Sequence, residues 1–297
     1  MSCDSSPSPP LEEGAKPTYV EPLSKSDISF FILSAASLLI GIIGRKKGGD
    51  LFCFLGISVG TILLIVGLYL SYQTKYGSIR ARDMILKEVE DLIVGNEQIL
   101  DVGTGNGALL VGFAKLLNKG GVAHGVDVFT AVTDDNVSRR KHRKALSLPY
   151  RNAKLEGVAD RVKIIGGDPR NLPFKTESFD FAILSMLVHN MSAGTLDRTL
   201  VQMTRVVKNG GYVIVHDFWN MTHVEDLLKR FNLEIVKVFH SDAILPLQNC
   251  IIAKKPEGGI LIPDEVVEST KSKVTAPIKL NELTKEQEEE LKKLKKL

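Results

Sequence analysis

The sequence predicts an α/β fold built on a mostly parallel sheet and preceded by two long apolar helices. Between residues 96 and 256, short apolar segments alternate with segments of helical periodicity, a pattern typical of parallel strands joined by helices. Ahead of this region, the segments 28–43 and 51–72 contain no charged side chain. The chain therefore combines an apolar N-terminal part with an α/β domain.

The composition narrows the classes of protein to which the chain can belong. It has 38 Lys and Arg against 35 Asp and Glu, a formal net charge of +3 and 44% hydrophobic residues. These values exclude a wholly disordered chain and a strongly basic nucleic-acid binder, so nucleic acid is not an expected partner. Cys3, Cys53 and Cys250 are far apart and form no CxxC pair, so no metal site is predicted.

Shifts in composition divide the chain into five parts. Residues 1–26 are rich in proline and serine and are predicted to be a disordered tail. Residues 27–72 are predicted to form a two-helix transmembrane hairpin, and residues 73–95 an amphipathic connecting helix. The α/β domain covers residues 96–256, and residues 257–297 form a charged C-terminal tail.

The two apolar segments are the basis of the predicted membrane hairpin. Segment 51–72 is long enough to cross a bilayer, which takes about 20 helical residues, whereas segment 28–43 would need its flanking residues. A buried soluble helix pair is the alternative, but such helices should carry a polar face, and neither segment does. Small residues at helical spacing would let the two helices approach closely: Ser37, Gly41, Gly56 and Gly60.

The distribution of basic residues predicts the orientation of this hairpin. The joining loop, residues 44–50, holds three positive charges, and the outer flanks hold six. By the positive-inside rule, both termini and the α/β domain should face the cytosol. The last five residues, 293–297, match a K-x-K-x-x retrieval signal, which would indicate the endoplasmic reticulum in a eukaryote, although a tail so rich in lysine matches easily.

The elements of the α/β domain follow one another in regular alternation. A helix is predicted over 76–94, with Gly95 as its stop signal. The last two strands have no helix between them and should form an antiparallel hairpin. The predicted strands are 99–102, 122–126, 161–165, 179–185, 212–215, 234–239 and 250–254, and the other helices cover 108–117 and 196–207.

A glycine-rich turn follows the first predicted strand and begins a helix. Its sequence is Asp101-Val-Gly103-Thr-Gly105-Asn-Gly107. Glycines there permit a tight turn and allow a ligand to approach the backbone at the helix N-terminus. The pattern also fits the dinucleotide fingerprint, with Asp127 about 20 residues further on to bind a ribose hydroxyl. A nicotinamide-dependent oxidoreductase is therefore one alternative.

Three carboxylates at successive strand ends favour a different ligand. Asp101 precedes the glycines, where a negative charge gains nothing from a pyrophosphate but would favour an ammonium or sulfonium group. Asp127 can accept from both ribose hydroxyls, and Asp168 can accept from an adenine amino group. Because strand ends of a parallel sheet form one ligand-binding edge, this set suits an adenosyl amino acid better than a dinucleotide.

Four motifs in order resemble those of the class I S-adenosylmethionine-dependent methyltransferases. They are ILDVGTGNG, GVDV, the run GVADRVKIIGGDPRNLPFKTESFDFAILS, and RVVKNGGYVIVHDF, in which Asn209 replaces the usual proline. The resemblance covers residues 76–256. It implies S-adenosylmethionine as cofactor and a Rossmann-like methyltransferase fold, with a seven-stranded mostly parallel sheet whose last strand is antiparallel.

The chain also resembles a membrane-anchored subset of that family. The similarity lies in Tyr-Gly-Ser-Ile-Arg-Ala-Arg-Asp over residues 76–83 and in the pair His189-Asn190. Together with the motifs above, the resemblance gives a set of candidate cofactor-binding residues. They are Asp101, Gly103, Thr104, Gly105, Asn106, Gly107, Asp127, Val128, Asp168 and Ser185.

A general base is needed only if the methyl acceptor must lose a proton. His189, just past the fourth strand, is the first candidate, because neutral histidine is a base near pH 7. His216 and Asp217, at the end of the fifth strand, are the second. The alternative for either histidine is a residue that forms the pocket wall or holds a loop by a hydrogen bond.

These features predict an integral-membrane methyltransferase that acts on a lipophilic or membrane-delivered small molecule. A non-catalytic membrane scaffold that retains the fold is a further alternative. The basic run 139–144 is predicted either to contact anionic lipid headgroups, since a membrane hairpin is nearby, or to form a solvated helix face.

Overall fold

The computed structural model describes residues 16–19, 25–48, 50–118, 120–127, 148–240 and 247–259. The helices in these ranges are α1 (Lys25–Gly48), α2 (Asp50–Val89), α3 (Ala108–Leu116), α4 (148–155), α5 (Ala193–Val206) and α6 (Met221–Arg230). The strands are β1 (Gln98–Val102), β2 (Val122–Asp127), β3 (Val162–Gly166), β4 (Phe179–Ser185), β5 (Val207–Asp217), β6 (Glu234–His240) and β7 (Asn249–Lys254).

The seven strands form one sheet in the order β3-β2-β1-β4-β5-β7-β6. Strands β1 to β5 pair in parallel, and β7 runs antiparallel to both β5 and β6. The predicted Rossmann-like sheet, with an antiparallel last strand, is confirmed. The strand order reverses between β1 and β4, and in open α/β sheets the crevice at such a point, at the carboxyl ends of the strands, is where ligands bind.

Helices cover the sheet on both faces and give the domain two hydrophobic cores. On one face, the fully buried Ile85 and Val89 of α2 pack with Phe113 of α3. On the other face, Leu200 of α5 and Leu228 of α6 are equally buried. The domain therefore has three layers, and the last turns of α2 belong to it.

Helix α2 is a single element where the sequence predicted two. The predicted membrane segment 51–72 and the connecting helix 76–94 form one helix that ends at Val89 and is followed by a 3₁₀ turn, Glu90–Leu92. No proline lies between Tyr72 and Ile85 to break it. The helix ends before the predicted bound of 94, and Gly95, the predicted stop signal, adopts a φ of +115° in the segment that leads to β1.

Helices α1 and α2 pack through small residues, as the glycine spacing predicted. The Ser34 hydroxyl donates to the Gly60 carbonyl at 2.8 Å, and the Ser37 hydroxyl donates to the Gly56 carbonyl at 3.2 Å. A Cβ on Gly56 would lie 2.4 Å from the Cα of Gly41. The backbones can therefore approach this closely only because both positions are glycine.

The lengths of the apolar segments differ between the two helices. Among the described helices, one segment, Cys53–Tyr72, is long and apolar enough to cross a membrane, with a mean hydropathy of 2.3. The apolar part of α1, Ile28–Ile43, is shorter, and α1 itself continues through Gly48, into the segment that the sequence predicted as a loop. The length criterion thus supports one of the two predicted spans.

The predicted N-terminal tail needs a correction. Residues 16–19, inside the segment 1–26 predicted to be disordered, lie against the α/β domain, where the Tyr19 side chain is 5% exposed. Local composition could not reveal these contacts, because their partners lie far along the chain. Residues 1–15, the basic run 139–144 and residues 260–297 of the predicted C-terminal tail lie outside the described residues.

Two glycine-to-alanine changes in α2 test the helix packing. Gly56→Ala should lower the free energy of unfolding by about 1–3 kcal/mol, because the new methyl group meets the backbone of α1. Gly77→Ala is the matched control, since a Cβ there meets no atom of the described residues within 4 Å. It should raise stability by about 0.5–1 kcal/mol through helix propensity. Denaturant titration in detergent micelles measures both, and an equal gain from both changes would contradict the packing of α1 against Gly56.

Candidate functional site

The glycine loop, residues 103–107, connects β1 to α3 at the carboxyl edge of the sheet. Gly103, Gly105 and Gly107 have φ values of +79°, +50° and +79°, a region that side chains rarely adopt. The Gly103 amide donates to the Val126 carbonyl of β2 at 2.7 Å. Among the described residues, a Cβ on Gly105 would have only the Gly103 carbonyl oxygen as a neighbour, at 4.0 Å. The loop is therefore held by β2 at Gly103, and the described residues leave Gly105 open to the approach of a ligand.

Asp101 lies beneath this loop and is almost fully buried, with 3% exposure. Burial raises the pKa of Asp101 to about 7, opposed by a hydrogen bond from the Thr104 hydroxyl at 2.8 Å and reinforced by the charge of Asp127. The carboxyl is thus poised to ionise near neutral pH. A cationic ligand group would favour the charged form, whereas the phosphates of a dinucleotide would oppose it.

Asp127, at the end of β2, is tied to the glycine loop. Its Oδ2 accepts from the Gly105 amide at 2.8 Å. The Gly167 amide, after β3, donates to the Asp127 backbone carbonyl at 3.0 Å, so the ends of β1, β2 and β3 meet here. The structure thereby brings together three parts of the cofactor site predicted from the sequence: the glycine loop, Asp127 and the segment after β3 that carries Asp168. The predicted neighbour Val128 lies outside the described residues.

Asp168 has a partner that the sequence analysis did not identify. Its two carboxylate oxygens accept from the Arg170 guanidinium, at 2.5 Å to the terminal nitrogen, and from the Arg170 amide at 2.8 Å. Burial alone would raise the pKa of Asp168, but the hydrogen bonds and charge of Arg170 outweigh it and hold the pKa below its usual value. A ligand amino group at Asp168 would therefore have to share the carboxylate with Arg170.

Three of the predicted residues contact protein groups with their side chains. Thr104 donates to Asp101, as described above, and Asn106 donates from Nδ2 to the Tyr19 carbonyl at 3.0 Å. The Ser185 hydroxyl, predicted to bind the cofactor, lies 3.0 Å from Nδ1 of His216 across the β4–β5 register. These three side chains therefore contribute to the shape of the site by holding other residues of the protein in place.

His189 and Asp217, two of the catalytic candidates, form a pair at the same edge. Nδ1 of His189 lies 3.1 Å from both carboxylate oxygens of the fully buried Asp217, whose Oδ1 also accepts from the Phe218 amide at 2.7 Å. The His189 ring stacks on Phe218 with centroids 4.8 Å apart. Because Asp217 accepts at Nδ1, the lone pair of the neutral ring lies on Nε2, 3.0 Å from the side-chain nitrogen Nδ2 of Asn190.

His216 differs from His189 in its surroundings. It is fully buried, and burial lowers its pKa to about 4, although the neighbouring Asp217 opposes the shift. It is therefore neutral at pH 7, but its ring has no access to solvent. This placement favours a role in holding Ser185 over a role as the base, which leaves His189 as the stronger candidate.

Sequence reasoning missed two residues that contact the glycine loop, Tyr19 and Asn152. The Asn152 side chain donates to the Asn106 carbonyl at 2.9 Å, and Tyr19 accepts from the Asn106 side chain. No local motif marks either residue. Their role depends on contacts between positions that are 46 and 87 residues apart in the chain.

Comparisons with known proteins agree with this geometry. Residues 93–295 match a family model described as a methyltransferase domain. The chain is 23% identical over 189 residues to a ribosomal protein L11 methyltransferase of Chlorobaculum tepidum, covering 62% of this chain and 57% of that one. It is 28% identical over 157 residues to a ubiquinone/menaquinone biosynthesis C-methyltransferase of Vibrio cholerae, covering 53% of this chain and 52% of that one. The chain thus spans little more than half the length of these two relatives.

A solved structure can be compared as well. A crystal structure of a SAM-dependent methyltransferase from Aquifex aeolicus superimposes with a TM-score of 0.47 at 16% identity. The match covers 60% of this chain and 92% of that chain.

The described residues fit S-adenosylmethionine. The backbone is open at Gly105, Asp101 favours a cation, and Asp127 lies at the strand end beside the loop. These features, together with the family match that covers well over half of the chain, remove the nicotinamide-dependent oxidoreductase alternative. The chain belongs to the methyltransferase-domain family and carries a class I S-adenosylmethionine-dependent methyltransferase domain.

Proposed function

We propose that this methyltransferase is anchored in a membrane by a two-helix hairpin and methylates a lipophilic small molecule that reaches it from the bilayer. The observation that carries the proposal is the course of α2. This helix runs without a break from an exposed apolar segment into the core of the catalytic domain.

The exposed surface of the two helices supports a lipid environment. Of the most apolar part of Cys53–Tyr72, only 11% is buried inside the protein. The Ser34 and Ser37 hydroxyls of α1 donate to α2 carbonyls, which satisfies these two groups within the helix pair. Large apolar side chains that are at least 60% exposed point outward from both helices: Ile32, Ile40, Leu51, Phe54, Ile62 and Ile65. Water would not favour such a surface, and hydrocarbon would.

The contacts of the residues before α1 support a hairpin whose two ends lie on the same side of the membrane. Tyr19 precedes α1, yet its carbonyl accepts from the Ser78 hydroxyl of α2 at 3.2 Å, and its ring lies beside Arg82. The chain before α1 and the chain after the apolar part of α2 therefore meet. With the excess of positive charge in the outer flanks, this favours a cytosolic catalytic domain. Lipid contact through residues 139–144 and the endoplasmic reticulum as location stay predictions.

The direction of α2 favours a site that faces the bilayer. Ser78 follows Tyr72 by about 9 Å along the helix, at 1.5 Å per residue. At this level Tyr19 links Ser78 to Asn106 of the glycine loop. The helix then continues to Val89, and the chain enters β1 from the opposite edge of the sheet. The carboxyl edge, which holds the candidate site, is thus the edge nearer to the apolar segment.

The surroundings of His189 are compatible with an apolar acceptor. Phe218 stacks on the imidazole ring, and Trp219, the next residue, is 62% exposed. The Vibrio cholerae relative is named for ubiquinone and menaquinone biosynthesis, and these quinones are lipid-soluble. A lipophilic acceptor of this general kind would gain a short path from the bilayer to the site.

The chemistry requires little from the protein beyond positioning. S-adenosylmethionine, when bound, supplies an electrophilic methyl group on a sulfonium centre. Asp101 would stabilise the positive charge of the cofactor, and the glycine loop would hold it against the sheet. Asp217 fixes the His189 ring so that Nε2 can take a proton from the acceptor, once Asn190 gives way.

Cofactor affinity should depend on pH through Asp101. The pKa of about 7 in the free protein means that, in acid, a proton must leave before a cation can bind. Affinity should therefore rise with pH between about pH 5.5 and 7.0, by up to about tenfold per unit at the acid end. Asp101→Asn should weaken binding and flatten this profile. Isothermal titration of both proteins measures it, and an unchanged slope in the variant would remove Asp101 from the linkage.

The acceptor class is tested with the full chain in lipid vesicles and S-adenosylmethionine labelled in the methyl group. Lipid-soluble and water-soluble extracts of the source cells are supplied separately. We expect label in the product of the lipid-soluble extract, because the site faces the bilayer. Label in aqueous products alone would contradict the lipophilic acceptor, and cofactor binding without any transfer would support the scaffold alternative.

Two histidine variants complete this experiment. His189→Gln should slow transfer by roughly 10²–10⁴-fold and leave cofactor affinity unchanged, if the acceptor must lose a proton. His223→Gln is the matched control, since His223 also pairs with a carboxylate, with Nε2 2.9 Å from Oδ1 of Asp197. It should transfer methyl groups at the wild-type rate.

A further inference from the structure

Thr18 and Tyr19, which precede the hairpin in the chain, lie against the cofactor site and form a segment that we call the strap. The Tyr19 ring is almost fully buried, near the Arg82 guanidinium at 5.7 Å, and its hydroxyl donates to Glu156 at 3.3 Å. Tyr19 thus belongs to the same hydrophobic core as α2 and α3. The cofactor domain therefore includes residues that precede the hairpin in the sequence as well as residues that follow it.

Asn152 of α4 shows what the strap contributes. Its side chain has no solvent exposure, and a buried amide is costly unless it is hydrogen-bonded. Oδ1 accepts from the Thr18 amide at 2.8 Å, and Nδ2 donates to the Thr18 carbonyl at 2.9 Å. The remaining bond goes to the Asn106 carbonyl of the glycine loop at 2.9 Å. Without the strap, Asn152 would keep one of these three bonds.

The strap also holds the Asn106 side chain directly. The Tyr19 carbonyl accepts from Nδ2 of Asn106, while Oδ1 of Asn106 accepts from the Ala108 amide at the start of α3, at 3.2 Å. Asn106 stands between Gly105 and Gly107, two glycines with positive φ. Its backbone and side chain are thus fixed by groups outside the loop.

We propose that the strap positions the glycine loop for S-adenosylmethionine, with Tyr19 and Asn152 as positioning residues. A flexible glycine loop loses conformational entropy when it closes on a ligand, and a loop that is already held loses less. Because coupling between two binding events is reciprocal, bound cofactor stabilises the strap by the same factor. The inference rests on the cofactor and is independent of the proposed lipophilic acceptor.

The test compares Tyr19→Ala with Tyr19→Phe in the full chain, in detergent micelles without any acceptor. The phenylalanine variant keeps the ring and loses only the bond to Glu156. We expect Tyr19→Ala to raise the Kd for S-adenosylmethionine by about tenfold or more, and Tyr19→Phe to stay within about twofold of wild type. If Tyr19→Ala lowers the melting temperature but keeps the wild-type Kd, the strap only stabilises the fold, and the proposal is overturned.

A second measurement uses the wild-type chain and needs no variant to fold. Hydrogen exchange of the Thr18 amide reports on its bond to Asn152. Addition of S-adenosylmethionine should slow this exchange, because the cofactor and the strap stabilise each other. Exchange at Thr18 that is the same with and without saturating cofactor would contradict the coupling.

Discussion

The continuity of α2 determines how the parts of this molecule are related. One helix of 40 residues carries an apolar surface in its first half and the buried Ile85 and Val89 in its second half. An α-helix is stiff over this length, so the domain cannot turn freely relative to the apolar segment. The carboxyl edge of the sheet, with its glycine loop and His189, is thereby directed toward the side on which the hairpin lies.

The charge arrangement at this edge is suited to a cationic cofactor. Buried Asp101 is close to ionisation, Asp127 is held by the Gly105 amide, and Asp168 is neutralised by Arg170. A site with three fully charged, unpaired carboxylates would repel itself strongly in a low-dielectric environment. Pairing of Asp127 and Asp168 and the raised pKa of Asp101 limit this repulsion. In the proposed site, the sulfonium or ammonium group of the cofactor would favour the charged form of Asp101.

The strands, the glycine turn and the parallel sheet could be predicted from the sequence because they depend on local patterns. The sequence also placed Asp101 and Asp127 correctly at strand ends and His189 just past the fourth strand. It ranked His189 ahead of His216 by position alone and could not show that His216 is buried against Ser185, because this contact depends on the pairing of neighbouring strands. Nor could it find the strap, whose bonds join Thr18 to Asn152 across 134 residues, or the Arg170 pair at Asp168.

Fluorescence of Trp219, the chain's single tryptophan, can test the orientation of the domain directly. Trp219 is exposed and follows Asp217 at the carboxyl edge of the sheet. The full chain is placed in vesicles whose lipids carry bromine near the headgroup, with unbrominated vesicles and Trp219→Phe as controls. A carboxyl edge that faces the bilayer predicts quenching by these lipids, stronger than by lipids brominated near the chain end. Emission equal to that in unbrominated vesicles would contradict a site that faces the membrane.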